Sequence, residues 1–143
     1  MSQVDQSVPS GCESPMQVVA DALHFFDQHF SEPIQIPSMA ESLGISLDCL
    51  NFSFEHIRRV TPLQALREHR LNKLFVALTD QPRQDLGRAI RACGLAETTG
   101  VLALFEQEFG IDMPLFLHTC RRAADDRLFR LEHPDADALV LPI

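Results

Sequence analysis

The 143-residue chain has no tryptophan and no tyrosine, so its large aromatic surface rests on ten phenylalanines. Positive charge is also scarce: 12 Lys and Arg face 20 Asp and Glu, a formal net charge of −8. Taken alone, that balance argues against a general affinity for nucleic acid, whose phosphates attract an excess of cations. No apolar run approaches the ~20 residues that a membrane-spanning helix needs, which excludes an integral helical membrane protein. Met1 to Pro15 is polar and lacks an apolar stretch. It is therefore no signal peptide, and a cytoplasmic protein is expected. Cys12, Cys49, Cys93 and Cys120 form no Cys-x-x-Cys pair, and the nearest two lie 27 positions apart. Free thiols, and neither a zinc knuckle nor a redox dithiol motif, are the expectation. Six Gly and nine Pro are too few for a low-complexity chain.

What is present is helical periodicity. Residues 1–15 are rich in Ser, Gln and Pro and read as a disordered leader. From Met16 an apolar stripe runs through Val19, Ala22, Leu23, Phe26 and Phe30 at spacings of three and four. Pro33 and Pro37 end that helix, and Ser38 with Glu41 reads as a capping box opening a short second helix, Met39 to Leu43, stopped by Gly44. Ser46 caps a third, with Leu47, Leu50, Phe54 and Ile57 apolar. Thr61-Pro62 with Gln64 opens a fourth, the longest expected, with Leu63, Leu66, Leu71, Leu74, Phe75 and Leu78 inward. After the polar break at Asp80–Asp85 the design repeats. Leu86 to Cys93 is a short helix stopped by Gly94, and Thr98 opens a sixth helix bearing Val101, Leu104, Phe105 and Phe109 before Gly110. A last helix starts near Asp112-Met113-Pro114. Gly44 aligns on Gly94 with an offset of 50, and Phe54 on Phe105 with an offset of 51. The expected fold is all-α: two helix-turn-helix subdomains, 16–79 and 80–122, joined by a long linker helix, about seven helices in all, with an acidic tail at 123–143 that is either frayed or a docking peptide.

These residues resemble the DNA-binding domain of the AraC/XylS family of transcription regulators, over about Val18 to Arg122. The matching positions are Ala40, Gly44, Ser46, Leu50, Phe54, Pro62, Leu66 and the Arg70-Leu71 pair in the first unit, then Gly94, Phe105, Gly110 and Phe116 in the second. The resemblance implies a bacterial transcription regulator, here without a sensing domain. It also implies that the third and sixth helices enter successive major-groove segments of double-stranded DNA. Their outward positions are Asp48, Cys49, Asn51 and Phe52 in the third helix, and Thr98, Thr99, Leu102, Ala103 and Glu106 in the sixth. Phe52, Glu55 and Ala103 stand where the family usually carries basic residues, Leu95 where it carries Phe, and Arg59 where a turn glycine is common. Ile90 replaces a small residue and Met113 a proline. An Arg–guanine contact contributes roughly 1–3 kcal/mol of base discrimination, so these replacements remove much of the family's direct readout. The phosphate-anchoring candidates are Arg58, Arg59, Arg67, Lys73, Arg88 and Arg91, with Arg83 beside them, whereas Arg70 is expected to be structural. Residues 16–122 still carry 10 basic and 13 acidic side chains. The same scaffold, with Phe52 as a surface anchor, also suits a non-DNA-binding module that docks on another regulator or an RNA polymerase subunit; the alternative for Phe52 is a scattered surface aromatic, or one tucked against Phe30 or Phe75.

Other chemistry is weakly represented. His24 and His29 are five apart, His-Glu-x-x-His is absent, and His118-Thr119-Cys120 has no visible third ligand. Asp125-Asp126 reads as solvated charge. No Gly-rich phosphate loop or activated nucleophile stands out, so no metal, cofactor or enzymatic activity is expected. Cys93 should be a buried helix residue and Cys49 an exposed one.

Overall fold

The computed structural model describes Cys12, residues 14–96 and residues 98–134. The remaining leader residues, Glu97 and the Leu-Val-Leu-Pro-Ile end lie outside the described residues. Seven helices and no strand are found among those described: α1 (Pro15–His29), α2 (Ile36–Ser42), α3 (Leu47–Arg58), α4 (Pro62–Asp80), α5 (Leu86–Ala92), α6 (Val101–Phe109) and α7 (Met113–Glu132).

Local chemistry sets most of the boundaries. The Ser46 hydroxyl accepts from the Cys49 backbone N–H at 3.0 Å and starts α3. Thr61 and Gln64 form a reciprocal capping box at the head of α4, with Pro62 in the first turn. Three expectations shift. Ser38 lies inside α2, which begins at Ile36 with no side-chain cap, because Pro37 already holds its first turn in helical φ. The helix at the chain's end, α7, is the longest at 20 residues, against 19 for α4, and it carries the supposed tail on to Glu132. Cys12 is only 3% exposed, so this leader residue is packed and not solvated.

Two apolar cores share α4. The first gathers Val19, Ala22, Phe26, Met39, Ala40, Leu50, Phe54, Ala65 and Leu66. The second gathers Leu71, Leu74, Leu78, Ala89, Cys93, Leu95, Val101, Phe105, Met113, Phe116 and Leu117, with Phe75 wedged among the rings of Phe105, Phe109 and Phe116. Leu63, expected to face inward, is 52% exposed; the inward face at the head of α4 is carried by Pro62, Ala65 and Leu66, and Leu63 lies off it.

The internal repeat is visible in backbone hydrogen bonds. After α2, Gly44 N–H donates to Glu41 O and Ile45 N–H to Ala40 O; after α5, Gly94 N–H donates to Arg91 O and Leu95 N–H to Ile90 O. Both are Schellman turns, and both glycines take positive φ, +74° and +78°. The repeat continues 51 positions apart, where α3 ends on Arg59 at φ 62° and α6 on Gly110 at φ 75°, their N–H groups donating to Glu55 O and Glu106 O.

The two halves are joined where Arg70 of α4 reaches the end of α1. Its Nε donates to Phe30 O at 2.9 Å and its Nη2 to Glu32 O at 2.8 Å. Gly94 lies against the same carbonyl: a Cβ there would stand 2.0 Å from Phe30 O and 2.8 Å from Arg70 Nε, whereas one on Gly44 would meet nothing within 4 Å. Gly44→Ala should therefore cost only left-handed strain, about 1–2 kcal/mol. Gly94→Ala adds a steric conflict with backbone and should cost about 2–5 kcal/mol, read by urea or thermal unfolding.

Candidate functional site

The third and sixth helices were the expected contact elements. Packing of α3 on α1, α2 and α4 fixes which of its residues stay outside. Cys49, Leu50, Ser53 and Phe54 are buried, and Asp48, Asn51 and Glu55 are exposed. Cys49 is thus corrected from an outward residue to a core one, 1% exposed. The buried stripe spans two adjacent positions per turn because α1 covers α3 closely. Phe52 is half-buried, and among the described residues its ring pairs with neither Phe30 nor Phe75. Its ring stacks on the imidazole of His56, one turn along, at 5.3 Å and 9° between planes. Leu47 and Ile57 of the expected stripe are partly exposed at the two ends of α3.

Around α6, Leu102 and Ala103 are exposed as expected, with Glu106 and Gln107 beside them. Thr98 and Thr99 do not belong to this helix. The N-cap of α6 is Gly100, in a left-handed conformation at φ 69° and without a side-chain cap, so α6 has nine residues where α3 has twelve. Gly100 admits this conformation at little cost, so the turn that Thr98 would have opened stays unwound. Thr98 instead borders a cleft of about 360 Å³ between the two units, with Ser31, Glu32, Arg70 and Arg91 among its other walls. A polar groove of about 240 Å³ separates α6 from α4, lined by Gln64, Arg67, Glu68, Leu104, Gln107 and Glu108.

The anchoring cations divide into two groups. Arg59, Arg67, Arg88 and Arg91 are exposed. Arg58 lies 3.8 Å from Glu68 of α4 and Arg83 grips both carboxylate oxygens of Asp125 on α7, so each is partly committed. Lys73 is committed fully to the fold. Its ammonium sits 2.7 Å from Asp27 and over the ring of Phe30, 5.1 Å from the centroid, so it ties α4 to α1. Arg70 is the structural residue expected.

Behind this face, His69 of α4 stands against α1 beside the rings of Phe26 and Phe30, with Nε2 3.3 Å from Asp27 in a geometry that does not align as a hydrogen bond. Burial, reinforced by the charge of Lys73, holds its imidazole below the ordinary range. The hydrogen bond and charge of Lys73 hold the Asp27 carboxyl below the usual carboxylate range. No cluster of three His, Cys, Asp or Glu side chains able to hold a metal occurs among the described residues. Nor is any of their helices long and apolar enough to cross a membrane.

No family model matches the chain, and no curated protein or solved structure matches it.

Arg59 occupies the left-handed position that Gly110 takes in the second unit. Arg59→Gly should raise stability by up to about 1 kcal/mol, read as a rise in Tm. The His69 shift has a sign. With its folded pKa below the unfolded value near 6.5, the unfolded state binds protons first as pH falls. The resulting stability is complete above about pH 6.5 and is lost on acidification through the lower folded value. Tm should decline as pH falls below about 6.5, and His69→Gln should flatten that decline; an unchanged slope would assign it elsewhere.

Proposed function

We propose that the chain is a transcription regulator of the AraC/XylS type, a double helix-turn-helix that works through the faces of α3 and α6. The observation that carries this reading is the repeat itself. Two helix pairs turn through the same Schellman geometry, end in the same left-handed cap, and hang on one linker helix that Arg70 fastens. Such a scaffold presents two equivalent helices to two segments of one extended partner, as duplex DNA provides. Arg59, Arg67, Arg88 and Arg91 supply the phosphate contacts in this reading. Asp48, Asn51, Phe52, Leu102 and Ala103 supply the facing surface.

The composition of that surface favours a second reading on the same scaffold. Asp48, Glu55 and Glu106 would meet phosphates with like charge, and Leu102, 47% exposed, offers an apolar side chain to a groove lined by polar base edges. A protein partner, another regulator or a polymerase subunit, suits an acidic and apolar face better than a major groove does.

Two measurements separate the readings. DNA binding predicts retention on heparin at about 50 mM salt and a mobility shift with a promoter fragment, both weakened by Arg67→Glu and Arg88→Glu, with a salt slope near −0.9 per phosphate contact. Passage through heparin unretained, with no shift, would sink direct DNA binding. Protein docking predicts a partner captured by the wild type and lost by Phe52→Arg at unchanged Tm; equal capture by both proteins would count against that surface.

A further inference from the structure

Four thiols with no motif spacing gave no reason to expect a redox pair, yet the fold brings two of them together. Cys12 precedes α1 and Cys49 lies in the first turn of α3, 37 positions later. The Cys12 thiol donates to the Cys49 carbonyl oxygen at 3.6 Å and lies 3.2 Å from the Ser53 hydroxyl. The Cys12 and Cys49 side chains are neighbours here, close enough that Cys12 bears on the Cys49 thiol, and Ser53 stands beside them. All three residues are buried. Cys93 and Cys120 belong to the second core and its margin.

We propose that Cys12 and Cys49 form a reversible disulfide that staples the segment before α1 to α3. This rests on the juxtaposed thiols alone and not on what α3 contacts. The oxidant is a small disulfide of the oxidised-glutathione type. Burial pushes the Cys49 thiol up to about 11, which makes it a poor first nucleophile. The Cys12 thiolate therefore attacks one sulfur of the small disulfide, forming a mixed disulfide and expelling one glutathione thiolate. Cys49 then gives its proton to solvent and attacks the Cys12 sulfur, closing the protein disulfide and expelling the second thiolate. Two protein thiols are oxidised by two electrons, and one glutathione disulfide is reduced to two thiols. Because both protein thiols are covered, exchange requires a local opening that uncovers Cys12.

The test uses the full chain with oxidised glutathione. No Lys or Arg lies between the two cysteines, but Glu13, Glu32 and Glu41 do, so cleavage after glutamate separates them. The expected result is an intact mass lower by about 2 Da and a Cys12-to-Cys49 linked peptide pair, both reversed by a dithiol reductant. Cys12→Ser and Cys49→Ser should each abolish the link; Cys12→Ser lies outside every helix and serves if the Cys49 variant misfolds. Four free thiols after treatment, a linkage through Cys93 or Cys120, or a glutathione adduct on Cys12 that never closes would each overturn the proposal.

Discussion

The architecture depends on one guanidinium. Arg70 sits where α4 passes from the first core to the second, and it donates to two carbonyls at the end of α1 that the helix itself leaves unsatisfied. An arginine is suited to this because its planar fork spans two acceptors and its charge survives partial burial. The loop after α5 completes the joint from the other unit, because only a residue without a side chain lets its backbone reach the same carbonyl. Asp27, His69 and Lys73 lie one turn away on the same α1–α4 seam. The relative placement of α3 and α6 is thus fixed from the middle of the molecule, by polar contacts, while each unit's internal stability comes from its own apolar core.

That division of labour bears on the surface. A core tolerates few changes, but nothing in either core requires cationic side chains on the outer faces of α3 and α6. Asp48, Glu55, Leu102 and Glu106 occupy them without any conflict of packing. Of the seven basic residues offered as phosphate contacts, three are partnered: Lys73 with Asp27, Arg58 with Glu68 and Arg83 with Asp125. The cationic surface available to a polyanion is correspondingly smaller than the sequence count implies.

Much of the fold was legible because its determinants are local. Ser46, Thr61-Pro62-Gln64 and Gly44 act within a few residues of themselves, and the helices they bound are found where expected. The structural role of Arg70 followed from the family resemblance, and Arg59 does adopt the left-handed turn that a glycine would favour. The site was less legible. Whether Cys49 faces out depends on how closely α1 approaches α3, a contact made across 20 or more positions of chain. Thr98 and Thr99 carry good capping chemistry, but Gly100 behind them offers the backbone a left-handed alternative that no helical period reveals. The Cys12–Cys49 meeting is likewise a matter of tertiary proximity.

The far end of α7 has a different standing from everything before it. Arg121 reaches Pro82 O and Asp125 meets Arg83, so both fasten the helix to the loop after α4. From Asp126 to Glu132 every residue is exposed, Leu131 at 74%. These seven residues form an overhang of about 10 Å, a cantilever rooted at the Asp125 clamp. Isolated helices this short are marginal in water, so the overhang keeps its form by propagation from the anchored turns upstream. Neither core draws a residue from it.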